Sequence, residues 1–425
     1  MKRLVFTASL LLLLLLCACG AEELPGTSLP PLTLPTGTAL PTAPPHAMET
    51  PAPPTPSALP TPLPDARALT LRLAYDGAAA DTLLDGDYET KRALPGGAVL
   101  SLSAEEEIGA LYVIWDLPPG EWTADTQICG EDGFLHEFVT LASPARELTV
   151  TLPAAGATLC DIFAFSHGAP PDWVQQWLPP WEEADMLLLP THADDEHLFF
   201  GGIMPHYAGE LGVRVQVAYL TNHWNAPPRP HELLNGLWTV GITAYPVISG
   251  FNDLYAGSLA TARELYPLDS VLEHQVFLLR RFKPLVVINH DLNGEYGHGV
   301  HMLNAHAIQE AVGLAADSEN YPDSAQEYGV WDTPKLYLHL YPDNEIIMNW
   351  DVPLARFDGA TAFEMAVAGY DCHLSQHQWS FAVRQEGDPY DCRRFGLVRS
   401  LVGADIAGDD LMENVTARTP LTPLT

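Results

Sequence analysis

Hydrophobic and polar positions divide the chain into stretches with different periods. Leu10–Leu16 is an unbroken leucine run behind Lys2 and Arg3. It is too short to span a bilayer comfortably and reads as the apolar part of a leader, residues 1–19. Residues 20–66 have no period: 14 prolines fall between Ala21 and Ala66, with Thr, Ala, Ser and Leu between them. Such a linker favours extended polyproline II, buries no core, and reaches on the order of 100 Å. From Leu69 to His167 short apolar runs recur at Leu69–Ala74, Ala98–Leu102, Gly109–Trp115, Glu137–Ser143, Glu147–Leu152 and Thr158–Ser166. Pro95-Gly96-Gly97, Pro118-Pro119-Gly120 and Glu131-Asp132-Gly133 punctuate them. That pattern predicts an all-β sandwich over 67–168.

A Trp/Pro-rich connector, 169–184, holds Trp173, Trp177 and Trp181. Trp at this density fills an interface between domains or, alternatively, stacks on sugar. Beyond it strand and helix alternate over 185–410. Strands are expected at Met186–Leu189, Val213–Leu220, Tyr245–Gly250, Leu285–Asn289 and Lys335–Leu340. Helices are expected near Glu196–Leu211, Pro230–Val240, Ser270–Phe282 and Val300–Ala315. Alternating βα with central strands rich in Val, Ile and Leu implies an α/β domain whose mainly parallel sheet is covered on both faces. Residues 411–425 read as a tail.

Charge narrows the partners. Asp and Glu total 54 against 20 Lys and Arg, a formal net charge of -34. Nucleic acid and an anionic membrane surface both require a basic footprint, so neither is an expected partner. Cysteine usage adds a second constraint. Leu16-Cys17-Ala18-Cys19-Gly20 resembles a bacterial lipobox, with Cys19 as the lipidated residue. Cys17 would place Leu at the cleavage position, and an ordinary cleaved signal is the other alternative. The resemblance implies an extracytoplasmic protein, lipid-anchored to the bacterial cell membrane. Cys129, Cys160, Cys372 and Cys392 remain; Cys129–Cys160 and Cys372–Cys392 are the economical disulfides, and free thiols the alternative.

The densest chemistry lies in Pro190–Gly202, PTHADDEHLFFGG, directly after an expected strand. In an open α/β sheet, ligands bind at the carboxyl ends of strands. His192 and Asp195 are three apart and can grip one metal from a loop entering a helix; Asp194 then points elsewhere. A catalytic zinc takes three protein ligands and leaves a position for water. A second strand-end loop, Asn289–His301, offers His298 and His301 as the third ligand, with the other facing substrate. Such a site suits metal-assisted hydrolysis, with Asp194 taking the water proton and a histidine serving the oxyanion or the leaving amine. Glu196 reads as a helix-start carboxylate or a partner behind the ligands. His197, His206, His223, His290 and His306 read as core or solvent histidines.

Together the His-Ala-Asp-Asp-Glu loop, the His-x-x-His loop and the βα order resemble the PIG-L/LmbE-type zinc deacetylases, from Asp185 to about Asp405. The resemblance implies a Rossmann-like fold and hydrolysis of an N-acetyl group on an acetamido sugar. It implies Zn2+ as cofactor, with Fe2+ or another divalent ion admissible. By matching position, His192, Asp195 and His301 are the metal ligands, Asp194 the general base and His298 the oxyanion-stabilising or acid residue. Arg229, Asp253 and Tyr296 match substrate-facing positions, with packing or salt bridging as the plainer alternative. Cys372-His373-Leu374-Ser375-Gln376 and Phe395–Ser400 match late structural signatures. The sequence departs from the family at Ala193, where many members carry Pro, and at Val300, where many carry Asp. Asp291 or Glu295 are the candidate substitutes for that missing carboxylate.

Leu84–Thr90 followed by core strands, and the closing Cys160–Gly168 segment, resemble the galactose-binding-like (F5/8 type C, discoidin-like) sandwich. That family frequently binds sugars, while a spacer without ligand is the alternative. An inactive surface glycan-binding protein, or a metal hydrolase of another amide or ester, are the competing functions.

Overall fold

A computed structural model describes residues 63–418. The leader, Cys19 and the linker up to residue 62 lie outside the described residues, as does 419–425. Among the described residues no helix is long and apolar enough to cross a membrane.

The first half is β throughout. Nine strands between Ala68 and Phe165 hydrogen-bond into one antiparallel sheet. Two long strands dominate it, Val99–Trp115 and His136–Thr151. Each joins two of the runs expected as separate strands. The pairing between them is interrupted over the polar stretch around Glu105–Glu107 and resumes in a shifted register at Ile108. Ala110–Trp115 is apolar without alternation because both its faces are covered. Leu111, Val113 and Trp115 join one core; Ala110, Tyr112 and Ile114 join another with Phe165 and Val174.

The second half is a seven-stranded sheet in the order Val247–Ile248, Val215–Tyr219, Met186–Leu188, Val286–Asn289, Lys335–His339, Arg394–Ser400, Glu345–Ile347. The first five strands are parallel, and Arg394–Ser400 runs antiparallel to both of its neighbours. Alternate residues enter opposite cores, as a sheet covered on both faces requires. Met186, Leu188, Val217 and Ile288 face one, with Leu198, Leu233 and Ala366; Leu187, Ala218 and Val287 face the other, with Val271, Leu303 and Ile308. Chain order reverses beside Met186–Leu188, so the loops leaving it and Val286–Asn289 flank the switch point where ligands sit in such sheets.

The helix expected over Glu196–Leu211 is broken. An α-turn covers Asp195–Leu198 and a π-helical turn Met204–Glu210. Gly201 adopts φ +49, where a Cβ would lie 2.6 Å from Cys392 Sγ, and Pro205 cannot donate to a helix ladder. Helix Leu268–Phe282 packs on Gly299–Leu314. Its Arg280 is fully buried and donates to the carbonyls of Leu314, Ala315, Asp317, Asn320 and Tyr321, satisfying the end of the partner helix.

Three expectations change. Cys129, Cys160, Cys372 and Cys392 are all free thiols; economy of pairing carries no geometric information about Cβ approach. Residues 411–418, read as tail, pack on the α/β half: Leu411 is buried, its N–H donates to Tyr207 Oη at 2.8 Å, and Arg418 pairs with Asp185. Asp65 and Ala66, read as linker, bridge to Ala169. Among the connector tryptophans, Trp173 packs on Tyr112, Phe163 and Phe165, and Trp177 on Trp238 and Tyr245.

Candidate metal centre

The two loops at the switch point bring together all eight site residues expected beyond Cys19. At the centre stand His192 Nδ1, Asp195 Oδ2 and His301 Nε2. They are 3.1 Å (His192–Asp195), 3.0 Å (His192–His301) and 3.2 Å (His301–Asp195) apart. A tetrahedral ion with N and O ligands at about 2.1 Å holds them roughly 3.4 Å apart, so the triangle fits one face of such an ion. The electrostatics fit too. Burial alone would raise the Asp195 pKa, but His301 and His192 override it and hold the carboxyl well below its usual range. Burial also opposes charge on His301, yet Asp195 and Glu295 raise its pKa to about 10. A field that favours a proton on that nitrogen favours a cation beside it.

The triangle is braced from behind. His192 N–H donates to Asp195 Oδ2 at 2.7 Å. His301 Nδ1 lies 2.8 Å from Glu295 Oε2, which fixes its tautomer with Nε2 free to face the centre. The same carboxylate meets His290 Nδ1 at 2.8 Å and His339 Nδ1 at 2.7 Å. Glu295 therefore orders three imidazoles, and of the two suggested substitutes for the missing acid it is the one that touches a site histidine. It does not reach the position the Val300 departure opens. Val300 is buried in the apolar core, and His298 Nδ1 is buried without a hydrogen-bond partner among the described residues. Burial, then His301 and His192, push the His298 pKa down to about 3.

Asp194 stands on the other wall with φ 127, a conformation uncommon for a non-glycine residue and typical of functional turns. Its N–H donates to Glu196 Oε2 at 2.9 Å and its Oδ1 lies 3.4 Å from Arg229. Arg229 also donates to Ala193 O, so it holds the loop as well as the carboxylate. Asp253 lies 3.4 Å from His192 Nε2, 3.4 Å from His223 and 3.7 Å from Arg229. Opposite, the His298 ring is 4.7 Å from that of His192 and 4.6 Å from that of His301. Tyr296 is 40% exposed and packs 5.7 Å from His298, so the cleft opens beside it. The half-exposed Asp253 and the exposed Tyr255 complete that rim.

Several contributors escaped the sequence reading. His290 sits at the end of the Val286–Asn289 strand, with Nε2 accepting from Thr191 N–H at 2.9 Å and 3.5 Å from Asp195. His339 ends the next strand, and His223 Nε2 accepts from Ala193 N–H at 3.0 Å. Strand-end position was the available signal for His290 and His339. Arranged this way, the centre can hold a divalent cation between two imidazoles and a carboxylate. It then leaves Asp194 and His298 on opposite walls of the opening.

No family model matches the chain. Curated relatives do. A 1D-myo-inositol 2-acetamido-2-deoxy-alpha-D-glucopyranoside deacetylase 2 from Saccharopolyspora erythraea is 30% identical over 202 residues, covering 42% of this chain and 72% of the relative. The corresponding deacetylase of Rhodococcus erythropolis is 31% identical over 181 residues, 36% of this chain and 59% of the relative. That of Streptomyces scabiei is 26% identical over 195 residues, 39% and 58%. The chain spans 56–59% of the length of the relatives from Streptomyces scabiei, Catenulispora acidiphila and Rhodococcus erythropolis. Among solved structures, an N,N'-diacetylchitobiose deacetylase from Pyrococcus horikoshii is similar at 18% identity and TM-score 0.34, covering 46% of this chain and 72% of that one.

Proposed function

The chain belongs to the PIG-L/LmbE-type deacetylase family of these relatives, and from that premise we propose that it is a zinc-dependent hydrolase removing an N-acetyl group from an acetamido sugar or related amide. The observation that carries the reading is the triangle of His192, Asp195 and His301, braced by Glu295 and open on the side of Asp194 and His298.

In this proposal His192, Asp195 and His301 hold the metal. A divalent ion so placed supplies Lewis acidity toward the amide carbonyl and lowers the pKa of water. Asp194, adjacent to a ligand but turned toward Arg229, takes the proton of the attacking water. Arg229 keeps that carboxylate in place. His298, on the facing wall, supports the developing oxyanion or hands a proton to the departing amine. Asp253, Arg229 and Tyr296 line the sugar's approach. The substrate in the Saccharopolyspora erythraea relative's name, a 2-acetamido-2-deoxy-glucopyranoside, is consistent with this class.

The same proposal extends to the rest of the chain. Cys19 anchors the protein to the membrane outside the cytoplasm, residues 20–66 act as spacer, and the β half is a galactose-binding-like sandwich. The partnerless His298 Nδ1 and Val300 favour one competing reading, a surface glycan-binding protein without activity. Metal analysis of the full chain and of His192→Ala tests the main one. Near-stoichiometric zinc lost from the triangle in the variant is the expected result. Wild-type protein without near-stoichiometric zinc would overturn it.

A further inference from the structure

The turn that carries Asp194 and Asp195 has a second polar cluster on its closed side. Glu196, His197 and His373 are each fully buried. Glu196 Oε1 stands 3.4 Å from His197 Nε2 and 3.4 Å from His373 Nε2. Neither contact is a hydrogen bond. Among the described residues, Glu196 Oε1, both nitrogens of His197, both of His373 and the nearby Tyr219 Oη have no hydrogen-bond partner. Unpaired buried polar groups are costly, so this many at one point call for an occupant.

The surrounding structure is shaped for these rings. Helices Pro228–Thr239 and Ala362–Asp371 meet over them at two glycines. A Cβ on Gly236 would lie 2.6 Å from His197 Nε2 and 3.1 Å from His373 Nε2, and one on Gly369 would lie 2.5 Å from His197 Nδ1. The His373 turn is itself anchored, because Glu232 accepts from Ser375 N–H at 2.7 Å and from its hydroxyl at 2.5 Å. Neutral imidazoles offer lone pairs. The two oxygens of Glu196 divide their work: Oε2 accepts from Asp194 N–H, and Oε1 faces the two rings.

We propose that Glu196 Oε1, His197 Nε2 and His373 Nε2 bind a second divalent transition-metal ion, of the zinc class, in a closed structural site behind the catalytic loop. The two 3.4 Å spacings from Glu196 Oε1 match the roughly 3.4 Å between ligands of a tetrahedral ion, and one ligand atom from each of the three residues lies within 4.8 Å of the others. Tyr219 Oη or an enclosed water completes the coordination. The ion fixes Glu196, and through Glu196 Oε2 it fixes the Asp194 peptide. His197 and His373 are then ligands, and Glu196 is also a positioning residue for Asp194.

The test counts zinc bound by the full chain after stripping with a chelator and reloading with Zn2+ alone. Wild type is expected to hold two equivalents. His192→Ala keeps one, Glu196→Gln and His373→Asn each keep one, and a His192→Ala/His373→Asn double variant keeps none. One equivalent in wild type that His192→Ala removes and Glu196→Gln keeps would overturn the second site. So would two equivalents that persist in both Glu196→Gln and His373→Asn. Should those variants fail to fold, anomalous scattering at the zinc edge from wild-type crystals decides it. A peak between Glu196, His197 and His373 supports the site, and no peak there overturns it. Failure of the first site would appear separately, as zinc that His192→Ala does not remove.

Discussion

Two sides of one turn make opposite use of the same residue types. Asp195 and Glu196 are neighbours, the first close to three imidazoles and the second to two. On the Asp195 side the polar groups are braced: Asp195 accepts from His192 N–H, and His301 rests on Glu295, which also orders His290 and His339. That side opens past Tyr296 and Asp253. On the Glu196 side the rings are sealed under two helices with their nitrogens partnerless. The positive φ of Asp194 lets consecutive carboxylates diverge. A metal site with an open position serves chemistry and a closed one serves structure. On the proposed reading, catalysis belongs to the open side and support to the closed one.

The largest effect that would break this division is on the open side. His301→Ala is expected to abolish both activity and zinc binding at the triangle, read by metal analysis beside a deacetylation assay. Asp194→Asn should lower kcat about 10²–10⁴-fold while zinc content stays at the wild-type level. Loss of zinc in that variant would make Asp194 a ligand instead. Glu295→Gln keeps the shape but removes the charge that orders three imidazoles; zinc affinity should fall about 10–100-fold in a chelator competition. A third histidine pair sharpens the comparison because its two rings meet each other. His136 Nε2 lies 2.9 Å from His231 Nδ1 where the β and α/β halves meet. Burial pushes both down, His231 to about 4, with His231 adding to the effect on His136. Both are neutral in the fold. Their contribution is fully present above about pH 6.5 and is lost as pH falls through the folded pKa, since the unfolded chain binds the extra protons. Chemical denaturation at pH 7 and pH 4.5 should differ by about 1–3 kcal/mol from this pair, and His231→Gln should shrink the difference.

Legibility in the sequence followed sequence distance. Asp194 and Asp195 could be given different roles because both sit in one short loop after an apolar strand. The parallel sheet was legible because Met186–Leu188 and Val286–Asn289 lack alternation, being covered on both faces. Glu295 lies five residues from His290 and six from His301, so that spacing was readable, but its bond to His339 spans 44 residues. The approach of His373 to Glu196 was hidden for the same reason. Other features were readable and passed over. Gly201-Gly202 and Pro205 interrupt the expected helix, and Thr361 with Glu364 forms a capping box that starts Ala362–Asp371. The merging of short β runs into two long strands was not readable, because cross-strand pairing on both sides of an exposed acidic bulge joins them.

The central claim is that the triangle is a working deacetylation centre with Asp194 as its base. The most direct measurement is acetate released from N-acetylated chitooligosaccharides by the zinc-loaded full chain, run beside Asp194→Asn with equal zinc content. The account predicts zinc-dependent acetate release that falls about 10²–10⁴-fold in the variant. Equal release from both proteins, or none from either across acetamido sugars, would contradict it.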